Sequence, residues 1–360
     1  MEKLIKMPSI GQFREVVSNI SKHYNFVGMD ENGNAIFDDS IEKPTITFKG
    51  TVKLHGTNAG VSGNFTNGDL SIWSQSKGNI ITPQSDNAGF AFFVESNKSL
   101  FKEMISSVYI KENLDIQNNT VTIYGEWVGK GIQKGVGICN LPKSLFIFGV
   151  KITPHTTNEE ELRANPAYWV DSSYLRSIEY KIYNIEDYPT FDVVVDFNNL
   201  ELAQNEIVNS TIAVENECPI SKSFGFPNTI GEGLVFNADF KDVRYTFKSK
   251  GELHAGVSKV KRLKVVDNEK IQKCIDLSEK VTPSWRLEQM LNETFDILNG
   301  GEFDIKQMGT YIKAVVNDII KEELLTISDA GMEIKDITKY ISEISRNFFI
   351  QRLNENVGLN

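Results

Sequence analysis

Beyond about residue 266 the hydrophobic spacing of this chain turns helical and stays so, and that change limits what it can fold into. From residue 45 the sequence repeatedly alternates apolar and polar side chains, as in Thr45-Ile-Thr-Phe-Lys-Gly-Thr-Val52, Thr120-Val-Thr-Ile-Tyr-Gly-Glu126 and Arg244-Tyr-Thr-Phe-Lys-Ser-Lys250. Successive side chains of a strand point to opposite faces, so each run reads as a half-buried strand. Beyond about residue 266 the period is helical: Tyr311, Val315, Ile319 and Leu324 lie on one stripe, and Ile334, Ile337, Ile341, Ile344 and Phe348 on another. Thr282-Pro283 reads as the N-cap and first-turn proline of a further helix to about Leu298, ended by Gly300-Gly301. The expectation is an α+β chain with a β-rich domain over residues 1–265 and a small all-helical domain over 266–360. At 360 residues each has room for its own core.

Within the β-rich part, Asn67-Gly68 between alternating runs predicts a hairpin. Residues 1–44, with Phe13, Val16, Val17 and Ile20 at helical spacing, read as an entry segment without chemistry of its own. A helix is expected over Asn87–Lys98 with Phe90, Phe93 and Val94 on one face. The glycine-rich run Gly129–Gly137 matches no phosphate-binding fingerprint and reads as a turn or bulge. Phe146 and Phe148 share one strand face, where core packing is the default for either ring. The stretch from 155 to 225, which includes Tyr168 and Trp169, gives little sign of chemistry.

Charged residues at the strand ends are the candidates for function. Lys53 ends the first alternating run and is followed by Leu54-His55-Gly56-Thr57-Asn58, in which Gly56 permits close approach of the backbone to a phosphate. A lysine amine held neutral and fixed in place can attack phosphorus or a carbonyl carbon. Glu126 follows a glycine at a second strand end, and Gly231-Glu232-Gly233 opens a third strand. Lys248 and Lys250 share a strand face, an arrangement that gains nothing unless an anion lies between them. Two carboxylates and three amines suit a nucleoside triphosphate with a divalent metal, the carboxylates taking Mg²⁺ or the ribose and the cations the phosphates.

Composition narrows the classes. The formal charge of −10 argues against bulk electrostatic binding of nucleic acid, although residues 241–264 hold eight Lys or Arg against two Asp or Glu. Three widely separated cysteines suggest neither a disulfide framework nor a zinc site. The N-terminus has no signal-like apolar run, and the longest apolar stretch, near Leu145–Val150, is far short of a membrane span. A soluble, cytoplasmic, monomeric protein is the expectation. His23, His155 and His254 have no partners at catalytic spacing.

Taken in order, Lys53-Leu-His-Gly-Thr-Asn58, Tyr124-Gly-Glu-Trp127, Phe146-Ile-Phe148, Glu232-Gly-Leu-Val-Phe236 and Phe247-Lys-Ser-Lys250 resemble the successive motifs of the covalent nucleotidyltransferases. Within them the chain resembles the phage T4 RNA ligase 2 family and its bacterial and phage relatives, to which Gln75–Pro83 and Asp86–Val94 are also similar. The resemblance implies an antiparallel-sheet, ATP-grasp-like nucleotidyltransferase domain followed by a helical domain. It implies an ATP-dependent RNA ligase: Lys53 attacks the α-phosphate of ATP, AMP passes to an RNA 5′-phosphate, and a 3′-hydroxyl displaces it, sealing RNA ends or a nicked duplex with Mg²⁺ or Mn²⁺. It also implies roles: His55 and Asn58 at the reacting phosphates, Leu54 lining the nucleotide site, Glu126 on the ribose or metal side, Phe148 on adenine, Glu232 at the metal, and Lys248 and Lys250 at the phosphates. Lys77 stands where the family commonly has arginine, and a lysine lacks the planar fork by which arginine grips ribose or phosphate. Two other readings compete: a DNA ligase or capping-type enzyme, and a non-catalytic nucleic-acid-binding protein with a degenerate nucleotide pocket.

Overall fold

A computed structural model of the chain describes residues 2–254, 267–297 and 301–357, apart from 32, 39 and 157. The later part of the basic run 241–264, the expected boundary at 265/266, and Leu298 and Gly300 lie outside the described residues. By their contacts, residues 1–24 with 43–265 form one unit and residues 25–42 with 266–360 another. The sequence had grouped 25–42 with the first.

The first unit is built on two sheets. Strands are numbered from a small hairpin of the second unit, β1 (Phe26–Met29) and β2 (Ala35–Phe37). One sheet of the first unit contains β3 (Thr45–Val52), β11 (Val193–Asp196), β12 (Gly233–Phe240) and β13 (Val243–Lys250) in the order β11-β3-β12-β13, antiparallel throughout. The other contains β4 (Thr57–Thr66), β5 (Asp69–Ser76), β6 (Ile80–Ile81), β7 (Asn119–Val128), β8 (Ser144–Pro154), β9 (Tyr168–Val170) and β10 (Ile182–Asn184). Its order is β10-β8-β7-β4-β5-β6, with β9 on β8 and only the β10–β8 pair parallel. Asn67 and Gly68 join β4 to β5 with positive φ at both positions, the geometry a tight hairpin demands.

The smaller sheet buries one face along β3, whereas the central strands β4 and β7 of the larger sheet are buried almost without interruption on both. Val61, Ile123, Ile147 and Val150 pack under the helices Phe90–Ser96 and Lys98–Lys111. The helix expected to run to Lys98 stops at Ser96, and a second begins after Asn97. The smaller sheet stacks Phe48, Phe236 and Phe247 against Phe13 of the helix Phe13–Asn25, with ring centroids of Phe236 and Phe247 4.8 Å apart. The helix Leu200–Asn216 also packs on β11, β12 and β13.

In the second unit the helices Asn268–Val281, Ser284–Phe295, Met308–Asp329 and Ile334–Val357 enclose Tyr311, Val315, Ile319, Ile337, Ile341 and Phe349. Asp267 caps the first through the amides of Glu269 and Lys270. The second ends at Phe295, three residues before the expected Leu298, because Asp296 turns into the left-handed region at φ 55°. Leu324, placed on the apolar stripe by its spacing, is 53% exposed. The α+β architecture of antiparallel sheets followed by helices is the one expected. Among the described residues, no helix is long and apolar enough to cross a membrane.

Candidate active site

Strand pairing, not sequence proximity, assembles the site. Antiparallel β3 and β12 place Val52 opposite Leu234, so Lys53, the next residue, meets the start of β12, and its amide donates to the Gly233 carbonyl at 2.8 Å. Antiparallel β12 and β13 place Gly233 opposite Lys250. Lys53, Glu232 and Lys250 therefore lie at the same end of three adjacent strands. Gly233 has to be glycine: its φ is 142°, and a Cβ there would lie 2.1 Å from the Ser249 carbonyl oxygen.

Glu232 is the hub. Its carboxylate, 3% exposed, accepts from Lys53 Nζ at 2.8 Å and from Lys250 Nζ at 2.6 Å, and lies 3.1 Å from His55 Nδ1. Burial acts to raise its pKa, but the Lys53 and Lys250 ammoniums outweigh burial and hold the carboxyl below the ordinary glutamate range. Lys248, on the same face of β13 as Lys250, is pushed below the ordinary lysine value by burial and by the charges of Lys250, Lys53 and Lys77. Lys77 itself is exposed in the turn between β5 and β6 and reaches the cluster only as a neighbouring charge.

The second carboxylate arrives from the larger sheet. Residues 54–56 carry the chain from β3 to β4, and β4 pairs with β7 so that Asn58 faces Glu126. The Gly56 amide donates to Glu126 at 3.1 Å, while a Cβ on Gly56 would sit 2.3 Å from the Trp127 carbonyl oxygen. Desolvation raises the Glu126 pKa to about 7, the Glu232 charge adding to the rise while Lys53 and the Gly56 amide oppose it. The two glutamates are thus tuned apart: Glu232 stays ionised, and Glu126 changes charge near neutrality.

Between the sheets lies a cavity of about 120 Å³ whose lining includes Lys53, Leu54, Asn58, Glu126, Phe148 and Trp169. Phe146 and Phe148, equivalent by spacing, have different surroundings. Phe146 packs among Tyr183, Tyr188 and Phe224. Opposite Tyr124 and Gly125, β8 contains one extra residue, so Phe148 is left without a ladder partner while Ile147 and Val150 both stay in the apolar core. Gly149 leaves room for the Trp169 ring, 2.8 Å from where its Cβ would stand.

Some contributors carry no signal in the sequence. Met7 and Ile10, from the segment read as chemically silent, line the cavity, and Met7 Sδ lies 3.2 Å from Asn58 Nδ2. Trp169 and Arg244 come from distant stretches and meet at 5.3 Å, with Arg244 held by both oxygens of Asp239. His254, read as lacking a catalytic partner, stands with its ring 6.1 Å from that of His55. His23 and His155 are structural, bonded to the Tyr245 hydroxyl and to Thr120 and Gln117. Asp86 accepts from the amides of Ala91 and Phe92 at the start of the following helix.

Lys53 and Glu126 at a cavity with aromatic walls, with Glu232 and two further amines beside them, have the chemistry to hold a phosphorylated aromatic ligand. The family model for RNA ligase matches residues 46–250, which carry all of these groups except Met7, Ile10 and His254. No curated protein matches the chain. Among solved structures, a Naegleria gruberi RNA ligase variant with AMP and Mn is similar at 14% identity and a TM-score of 0.38, over 71% of this chain and 58% of that one. An apo variant of the same ligase is similar at 16% identity and a TM-score of 0.40, over 71% and 57%. The chain thus corresponds to less than two thirds of the length of those proteins. With its matched region covering more than half of the sequence, the protein belongs to the RNA ligase family.

Proposed function

We propose that the protein is an ATP-dependent RNA ligase of the phage T4 RNA ligase 2 type, joining 3′-hydroxyl and 5′-phosphate RNA ends, as at nicked duplexes in RNA repair. The observation that carries this reading is Lys53 Nζ at the cavity wall, 2.8 Å from Glu232 and on the same strand ends as Lys250. In the first step Lys53 Nζ, having lost one proton to become the neutral amine, attacks the α-phosphorus of ATP and sheds a second proton as the phosphoramidate forms. An N–P bond forms as the bond to pyrophosphate breaks. The AMP then moves to an RNA 5′-phosphate, restoring the lysine, and a 3′-hydroxyl displaces AMP to close the phosphodiester. Phosphoramidate linkage keeps the activation of ATP through two transfers, which hydrolysis would discard.

The chain's own groups divide the work. Phe148 stacks on adenine within the walls formed with Leu54 and Trp169. His55 and Asn58 contact the reacting phosphates, and Lys248 and Lys250 stabilise their charge, with Lys77 adding to the field. Lys53 has to leave Glu232 before it can act as a nucleophile, and a cation held at Glu232 would compete with it for that carboxylate. Among the described residues no group of three or more His, Cys, Asp or Glu is arranged for a metal. Two carboxylates, Glu126 and Glu232, nevertheless fit a Mg²⁺ or Mn²⁺ ion that takes its remaining ligands from phosphate and water. Such an ion supplies Lewis-acid polarisation of the phosphate. In this reading residues 1–265, less the segment 25–42 that groups with the other unit, are the adenylyltransferase domain and 266–360 a helical domain that helps seat RNA, the protein acting as a cytoplasmic monomer.

Incubation with α-labelled ATP or GTP and Mg²⁺, after stripping bound AMP with pyrophosphate, tests the reading. Label from ATP on the denatured polypeptide, lost in Lys53→Ala, is expected. Label from GTP alone indicates capping chemistry. No label from either leaves a nucleotide-binding protein without transfer activity.

A further inference from the structure

Glu215 is a buried carboxylate that the proposed chemistry does not use. It lies in the last turn of the helix Leu200–Asn216 and is 8% exposed. A carboxylate taken from water is costly unless polar groups meet it. Here the Leu253 amide donates to Oε1 at 2.8 Å, in the segment that follows Lys250. A Cβ on Gly251 would lie 2.1 Å from the same oxygen, so the backbone between Lys250 and Leu253 passes close against the carboxylate.

The same helix grips both strands that bear the charged hub. One turn earlier the Thr211 and Ser249 hydroxyls are 2.8 Å apart. Thr211 is also 2.6 Å from the Ile207 carbonyl, so Thr211 donates there and Ser249 donates to Thr211. The Val214 carbonyl accepts from the Gly231 amide at 3.0 Å, and a Cβ on Gly231 would lie 2.7 Å from the Val214 side chain. Lys250 is thus flanked by two anchored positions and Glu232 follows a third, all fixed to one helical turn.

We propose that Glu215 is a positioning residue for the Lys250–Glu232 pair: from the helix it fixes the backbone after Lys250, and so sets where that ammonium stands when Lys53 takes up its nucleotide from ATP. The inference rests on the ligase reading of the site. Glu215 is not among the residues that line the cavity. Its effect therefore falls on the rate of transfer and not on the affinity for ATP.

The test measures label transfer from α-labelled ATP to Lys53 in single turnover, per folded molecule, across ATP concentrations. Glu215→Ala should lower the rate at saturating ATP by about tenfold, with the half-saturating ATP concentration within about threefold of that of the unaltered protein. Glu215→Gln keeps an acceptor for the Leu253 amide and should restore the rate to within about threefold. If Glu215→Ala does not fold, Ser249→Ala removes the adjoining hydroxyl bond with little loss of volume and should slow transfer by about threefold. Unchanged transfer in Glu215→Ala, or a loss that Glu215→Gln does not relieve, overturns the proposal, as does unchanged transfer in Ser249→Ala. Absence of label in the unaltered protein is a distinct result: it removes the ligase reading itself.

Discussion

Replacing Glu126 with glutamine should stabilise the protein at alkaline pH and leave its stability almost unchanged in acid. In the folded chain Glu126 keeps its proton to about pH 7, against an ordinary 4.5, chiefly because burial penalises the carboxylate. Between those values the folded protein holds a proton that the unfolded chain has released, so stability falls as pH rises. Above about pH 7 both states are ionised and the full penalty remains, about 3 kcal/mol. Glutamine retains an oxygen for the Gly56 amide, now 3.1 Å away, and carries no charge to desolvate. Urea unfolding of Glu126→Gln beside the unaltered protein should show an advantage near zero at pH 4.5 that grows to about 3 kcal/mol at pH 8. An advantage equal at the two pH values, or larger in acid, would refute the account of Glu126.

Other substitutions probe the remaining parts of the site. Glu232→Ala leaves the Lys53 and Lys250 ammoniums without their counter-charge and should cost about 2 kcal/mol at pH 7, less than for a fully buried pair because Lys250 is partly exposed. Since the Glu232 carboxyl is held below its ordinary 4.5, that difference should be fully present above pH 4.5 and vanish as pH falls through the lower folded value, which urea titrations can follow. Gly56→Ala drives a Cβ to 2.3 Å from a backbone oxygen and should slow label transfer by on the order of a hundredfold through displacement of the Lys53 loop. Phe148→Ala should raise the ATP concentration for half-maximal labelling about tenfold, with the saturated rate nearly unchanged, if the ring serves to stack the base.

The strand ends were legible because their signals are local. Alternation located β3, β7 and β13, and Gly56 was singled out for close approach, although the group that a Cβ there would meet is the Trp127 carbonyl and not a phosphate. The second of the two helices under the larger sheet was missed although Phe101, Ile105 and Val108 keep a helical spacing. Trp169 and Arg244 were not legible as partners because no local pattern links a short edge strand to the far end of β13. The bulge at Phe148 was likewise invisible: period-two spacing treats Phe146 and Phe148 alike, and only the pairing with β7 distinguishes them.

By itself the sequence determined which residues sit at strand ends and where the period turns from strand to helix. Those properties follow from side-chain periodicity, which is local. Tertiary structure decided that Lys53, Lys250 and His55 converge on one carboxylate and that Glu126 changes charge near neutrality while Glu232 stays ionised. It also decided that Met7 and Trp169 complete the cavity and that Glu215 lies behind Lys250. Each of these depends on strand order, burial and distance between residues far apart in the chain, and electrostatic interaction follows distance and solvent exclusion, not sequence separation.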